Sequence, residues 1–228
     1  MTQNETELRA CICEVGRRLY AHNIVSATDG NISVRVAPDR FLCTPSGAAK
    51  GFMHPHEVVV ADGMGRLVEG EGKVSSEFFT HLAAYSQRDD ISAVVHAHPP
   101  TAVALTLAGA SMEELLLPEV VFVVGAVPTA PYATPGTPEG ADSVRPLVAK
   151  CDALLMDRHG ALTLGVSLMD ALYKMEKIEH SAQILLAARS FGEPRKLSRD
   201  ELDRIWRARE VYGATGRIYL PDAETEKS

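Results

Sequence analysis

His96 and His98 close an apolar, β-branched run, Ala93-Val94-Val95-His96-Ala97-His98-Pro99-Pro100. In a strand, residues two apart share a face, so both imidazoles point the same way. Two neutral imidazoles aimed at one point are half of a metal site, and a third strong ligand has to come from elsewhere. The pattern offers His159, which ends a second apolar run, Ala153 to Arg158, and is followed by Gly160, as at a strand end beside a tight turn. Glu77, in Ser75-Ser76-Glu77 where a helix begins, is the candidate base. Three His and one Glu make an open catalytic site of the zinc type. His81, one helical turn from Glu77, reads as structural because the ligand set is complete without it. A cupin would want a carboxylate soon after the second His, where Ala102 and Val103 stand. An amidohydrolase barrel typically needs about 250 residues or more.

Holding four such groups at one point takes a rigid frame, and 228 residues with 46% hydrophobic content can bury one good core. Thr6 to Ala21 reads as an amphipathic helix with Leu8, Ile12, Val15 and Leu19 at helical spacing. Ile32 to Val36 alternates as a strand, and Arg40 to Thr44 is its hairpin partner across Pro38-Asp39. Glu57 to Ala61 and Arg66 to Val68 form a second hairpin, so this part of the sheet is antiparallel. Ser75 and Ser76 are N-cap candidates for a helix to about Gln87 with Phe79, Leu82 and Ala83 on its buried face. Next come a helix over Thr101 to Ala108, strands over Val120 to Val124 and Ala126 to Ala130, and a helix ending at Val148. Strands Asp152 to Met156 and Ala161 to Leu164 flank His159. Ser167 and Asp170 open the longest helix, with Leu168, Leu172, Met175, Ile178, Ala182 and Leu185 in its stripe, and a last helix spans Ser198 to Tyr212. The reading is an α/β chain with a single domain over 1–220 and a disordered tail over 221–228.

The acidic balance, net −7, argues against nucleic acid or an anionic membrane as partner. The four cysteines, at 11, 13, 43 and 151, have no framework spacing and fit free thiols in a reducing compartment. The N-terminus is polar and acidic, and no apolar run nears the ~18 residues of a membrane span. A cytoplasmic protein is expected.

Three small polar loops recur beside strand and helix ends: Thr28 to Asn31, Ser46-Gly47 and Ser75-Ser76. Each alone is only a turn. Brought together, their hydroxyls, amides and free backbone N–H groups would cradle a phosphate, helped by the positive end of the helix after Ser76.

Taken in order, Asp29-Gly30-Asn31-Ile32-Ser33, Thr44-Pro45-Ser46-Gly47, Ser75-Ser76-Glu77, His96-Ala97-His98-Pro99, Pro131-Tyr132-Ala133-Thr134 and His159-Gly160 resemble the class II aldolase/adducin-head family. Within it, the pattern is similar to L-fuculose 1-phosphate aldolase-like enzymes, and the match runs from the first helix to about Tyr212. The resemblance implies a single three-layer α/β/α domain on a largely antiparallel sheet, in a homotetramer with sites at subunit interfaces. It implies that His96, His98 and His159 bind Zn2+ (or another divalent metal such as Mn2+ or Co2+). It implies that Thr28, Asn31, Ser46, Gly47, Ser75 and Ser76 hold the phosphate of a small phosphorylated sugar. Glu after the Ser-Ser pair matches the aldolases, where the epimerases usually carry Asp.

The implied activity is metal-dependent cleavage of a ketose 1-phosphate, L-fuculose 1-phosphate-like or a 5-deoxy- or 5-methylthio-pentulose 1-phosphate. The products are dihydroxyacetone phosphate and an aldehyde, with Glu77 as the catalytic proton shuttle. Same-fold alternatives are a decarboxylase of a 3-oxo sugar-acid phosphate, a methylthioribulose 1-phosphate dehydratase and a sugar-phosphate epimerase. From another class, a non-catalytic adducin-like interaction module is the alternative, and the intact ligand set argues against it.

Overall fold

The apolar runs pair into one sheet in the computed structural model, which describes residues 4–221. The first hairpin is β1 (Asn31–Ala37) with β2 (Arg40–Cys43), and the second is β3 (Val59–Ala61) with β4 (Leu67–Glu69). β5 (Ala93–Ala97), β6 (Thr129–Ala130), β7 (Ala153–Met156) and β8 (Gly160–Gly165) complete eight strands in the order β4-β3-β2-β1-β5-β8-β7-β6. Every pairing is antiparallel except β6 with β7.

Both faces of the sheet are covered, which is why β5 reads as a continuous apolar run rather than an alternating one. Its Ala93, Val95 and Ala97 pack under α1 (Glu5–Ala21), α3 (Pro100–Leu107) and α6 (Leu168–Phe191). Its Val94 faces the opposite layer, made by α2 (Phe78–Gln87) and α5 (Pro138–Val148). The fold is therefore three layers, α/β/α, on a largely antiparallel sheet. The helix stripes behave as their spacing predicts: Ile12, Val15 and Leu19 of α1 and Leu172, Met175 and Ile178 of α6 are fully buried. Asn4 accepts a hydrogen bond from Thr6 N to start α1, and Ser167 does the same from Asp170 N to start α6.

Five local expectations change. Val120 to Val124 is not a strand: Pro118–Val123 is a short helix, α4, which packs against α6 and α7 (Arg199–Val211). A short apolar run carries no period that separates the two, and Pro118 at the first helical position pre-sets the backbone for the helix. The strand expected over Ala126 to Ala130 is only Thr129–Ala130, and that over Glu57 to Ala61 shortens to Val59–Ala61 after a 3₁₀ turn, Pro55–Glu57. In α2, Phe79 is 49% exposed and Phe78 is buried instead, because the inward face of this helix carries the polar Thr80 and His81. Ser75 and Ser76 precede the helix, which has Glu77 as its N-cap. The tail expected to be disordered lies, from residue 222, outside the described residues.

At the far end of the sheet, Asp152 joins the two helical layers. It accepts from Arg88 Nη2 at 2.7 Å, at the end of α2, and from Lys174 Nζ at 2.9 Å, on α6. All three side chains are at most 3% exposed. Removing the shared acid leaves two buried cations short of a partner, so Asp152→Ala should lose about 3 kcal/mol or more of stability in urea denaturation. A loss below about 1 kcal/mol would mean that Asp90, 2.7 Å from Arg88, and Asp170, 2.8 Å from Lys174, compensate fully.

Candidate metal centre and its adjoining loops

β5 lies between β1 and β8, with Asn31 opposite His96 on one side and Leu162 opposite it on the other. Pairing fixes the face: Asn31, Ser33 and His96 all point to the α2 layer. His98 follows two residues later on the same side, its backbone N–H held by the Ile24 carbonyl at 3.0 Å. His159 sits in the loop between β7 and β8, and the left-handed residue of that loop is Arg158, at φ 56°. Gly160 is thus not the turn residue its position suggested. It is needed for close approach, since a Cβ there would stand 2.4 Å from the Ala97 carbonyl and 2.9 Å from the rings of His96 and His98.

Glu77, at the mouth of α2, completes the group. Its Oε2 is 3.0 Å from His96 Nε2 and its Oε1 3.2 Å from His159 Nε2. His96 and His98 face each other through their Nε2 atoms at 3.1 Å. One ligand atom from each of Glu77, His96, His98 and His159 lies within 4.8 Å of all the others.

Hydrogen bonding indicates which nitrogens are free to bind. His96 Nδ1 is 2.9 Å from the Ala161 carbonyl, which only accepts, so the proton sits on Nδ1 and Nε2 presents a lone pair. His98 Nδ1 is 3.6 Å from Asp29 Oδ2, longer than a hydrogen bond, so the carboxylate lies behind the ring while Nε2 faces the cluster. A cation between the two Nε2 atoms would let both rings present lone pairs to it. Three imidazoles and a carboxylate suit zinc, and also manganese or cobalt, so the residues present fit a divalent metal.

Electrostatics agree with that fit. Burial raises the Glu77 carboxyl, but its close contacts with the His159 and His96 imidazoles outweigh it and hold the group well below the usual carboxylate range, as carboxylate. Burial and the neighbouring His96 and His159 push His98 down to about 4, so its neutral, ligating form prevails.

The three small polar loops meet beside this cluster. Asn31 Nδ2 donates to Ser75 Oγ at 3.1 Å, and Ser75 Oγ in turn accepts from Glu77 N at 3.3 Å. Ser46 N donates to the Lys73 carbonyl at 2.8 Å, and Pro45 bridges to Val74, which brings the Ser46-Gly47 loop alongside Ser75-Ser76. Gly47 has a positive φ of 75° and open space where a Cβ would be. Thr28, Ser46 and Ser76 are exposed, Ser75 half-buried and Asn31 buried.

His81 lies outside the metal cluster, as its structural reading has it, yet it is tied to the site. It is fully buried, and its Nε2 is 2.8 Å from Asn31 Oδ1 while its Nδ1 is 2.7 Å from Ser33 Oγ. Tyr85 OH, 2.9 Å from Ser33 Oγ, ends the chain. Since Asn31 Oδ1 only accepts, His81 carries its proton on Nε2 and accepts from Ser33 on Nδ1. Sequence reasoning missed this tether and the carboxylate of Asp29 behind His98. The signal for His81 was a polar residue on the apolar side of a helix. For Asp29 it was a carboxylate two residues before Asn31.

Comparison with known proteins agrees with the geometry. Residues 10–186 match the family described as Class II Aldolase and Adducin N-terminal domain. A 5-deoxy-D-ribulose 1-phosphate aldolase from Bacillus thuringiensis serovar kurstaki is 33% identical over 207 residues, 89% of this chain and 95% of that one. A 3-oxo-tetronate 4-phosphate decarboxylase from Cupriavidus necator is 35% identical over 184 residues, 79% of this chain and 84% of that one. A solved L-fuculose 1-phosphate aldolase superposes with a TM-score of 0.82 at 30% identity, covering 90% of this chain and 96% of that one. The chain belongs to the class II aldolase and adducin N-terminal domain family, and within it to the enzymes of lyase type.

His81 supplies a pH test. Burial pushes it down to about 3 from an ordinary 6.5, so the unfolded chain binds its proton first. Its contribution is fully present above pH 6.5 and is lost as pH falls from there toward 3. Stability measured by chemical denaturation should fall more steeply with decreasing pH in the wild type than in His81→Gln, whose side chain does not titrate. Parallel profiles would exclude a neutral buried His81.

Proposed function

We propose that this protein is a zinc-dependent aldolase that cleaves a ketose 1-phosphate reversibly to dihydroxyacetone phosphate and an aldehyde. The observation that carries the reading is the convergence of Glu77, His96, His98 and His159 beside the Asn31–Ser75 contact. A metal-type half and a polar, anion-type half lie next to each other, as a phosphorylated ketose requires. The similarity to a 5-deoxy-D-ribulose 1-phosphate aldolase supports the same substrate class.

His96, His98 and His159 would hold the metal, which supplies Lewis-acid polarisation of the ketose carbonyl. The Ala161 carbonyl keeps the ligand nitrogen of His96 turned inward, and the Asp29 carboxylate lies behind His98. Glu77 is a carboxylate at neutral pH and sits against two of the imidazoles, so it is placed to move a proton at the carbon next to the carbonyl. In the condensing direction it removes that proton from dihydroxyacetone phosphate; in cleavage it returns it to the same carbon. Thr28, Asn31, Ser46, Gly47, Ser75 and Ser76 bind the phosphate through hydroxyls, an amide and backbone N–H groups. We also place the enzyme in the cytoplasm as a homotetramer with its sites at subunit interfaces, by the resemblance to its family.

A second reading has its own support, the 35% identity to a 3-oxo-tetronate 4-phosphate decarboxylase. Decarboxylation also leaves negative charge next to a carbonyl, so the same site could serve it. The deciding experiment incubates zinc-loaded protein with a panel of ketose 1-phosphates and a 3-oxo-tetronate 4-phosphate, measuring dihydroxyacetone phosphate and carbon dioxide. Dihydroxyacetone phosphate from a ketose, without carbon dioxide, is the expected result; dihydroxyacetone phosphate with an equivalent of carbon dioxide from the oxo-acid phosphate, and none from any ketose, would replace the aldolase reading with the decarboxylase one.

About one zinc per subunit is expected by metal analysis, and His96→Ala and His98→Ala should lose it, because two remaining imidazoles seldom retain a catalytic metal. Glu77→Gln keeps the shape of the side chain but cannot take a proton. It should remain folded, with turnover reduced by roughly 100-fold or more. Near-normal turnover in that variant would remove Glu77 from the chemistry.

A further inference from the structure

The three polar loops contain no Arg or Lys of their own, and Lys73 beside them is exposed. A phosphate dianion held only by neutral groups would leave its charge uncompensated. Lys50 lies three residues beyond Gly47 and is 3% exposed, so its side chain is packed inside the protein. The backbone at Lys50 is pinned from behind by α1, where a Cβ on Gly16 would stand 2.3 Å from the Lys50 carbonyl. From there the side chain reaches across to the first loop, and Nζ donates to the Thr28 carbonyl at 2.6 Å.

The contrast with the other buried lysine is informative. Lys174, equally buried, has carboxylates of Asp152 and Asp170 at 2.9 and 2.8 Å. Among the described residues Lys50 makes no ion pair, and the Thr28 carbonyl is its hydrogen-bond partner. A buried ammonium with no ion pair of its own is costly to keep, and an anion bound at the adjoining loops would offset that cost. Burial lowers Lys50 to about 8, and the charges that oppose this are Asp29 and Glu77, both in the site. At neutral pH the ammonium form still prevails.

We propose that Lys50 is a positioning residue of the phosphate subsite, tying the Ser46-Gly47 loop to the Thr28–Asn31 loop and supplying the buried positive charge that a bound phosphate dianion needs. The inference rests on the phosphorylated-substrate reading above. It assigns Lys50 to work through the Thr28 carbonyl and through its field.

The test is binding of inorganic phosphate to zinc-loaded protein, by calorimetry and by competition with the ketose phosphate. Lys50→Met keeps the stem and removes the ammonium. It should lower phosphate affinity about tenfold or more and raise KM for the ketose phosphate in step, with a much smaller change in kcat and an unchanged zinc content. Lys50→Arg, which restores charge and donor, should recover most of that affinity. If Lys50→Met does not fold, Lys50→Gln takes its place with the same expected loss, since it keeps a donor without the charge. Equal phosphate affinity in the wild type and the neutral variant overturns the assignment and leaves Lys50 a buried strut. A wild type that binds no phosphate overturns the phosphorylated-substrate reading itself, and that result is seen before any variant is made.

Discussion

The antiparallel pairing of β5 with β1 and β8 is the constraint on which the rest of the site depends. It sets His96 directly across from Asn31 and from Leu162, so that a metal-type ligand and a polar anchor stand side by side on one face of the sheet. Strand side chains alternate with a period of two, and a slip of one residue would turn His96 into the apolar layer under α1 and α6. The alternate residues Ala93, Val95 and Ala97 are fully buried in that layer, which opposes such a slip. Hydrophobic burial on the far face thereby fixes the position of an imidazole on the near one.

The second organising element is the start of α2. Glu77 belongs to the metal-type cluster and Ser75 to the polar loops, and only Ser76 stands between them in the chain. The spacing between the two halves is therefore set by local backbone and by the β1–β5 pairing, not by long mobile loops. An arrangement of this kind suits a substrate in which a phosphate-bearing carbon adjoins the reacting carbonyl, and rigid placement of this sort is what catalysis by orientation requires.

Behind the site, polar groups are buried without being left unpaired. Among the described residues no fully buried side-chain nitrogen or oxygen lacks a partner. The line from Tyr85 through Ser33 and His81 to Asn31 illustrates the rule: each group donates to or accepts from the next, and the line ends at an amide that faces Ser75. A neutral chain of this type holds Asn31 in one rotamer. In the low dielectric of the core, a charged His81 would disturb both Asn31 and the nearby His96.

Much of this was legible in the sequence because it rests on short-range order. His96 and His98 are two residues apart on one strand, Glu77 follows the Ser pair, and the helical stripes of α1 and α6 repeat within a few turns; each is fixed by the geometry of a single element. The three polar loops were legible as loops for the same reason. What only the tertiary structure decided is what crosses between elements. Phe78 rather than Phe79 is buried because His81, on the same helix, is drawn inward by Ser33 and Asn31 from another strand. Pro118–Val123 is a helix because of what it packs against, since a short apolar run has no period to declare itself. Gly160 matters for the carbonyl and imidazoles of β5 that approach it, a contact no local turn rule contains. Lys50 is one lysine among several in a linear chain, and its burial with only the Thr28 carbonyl bonded to it, and no ion pair among the described residues, exists only once the sheet and α1 have closed around it.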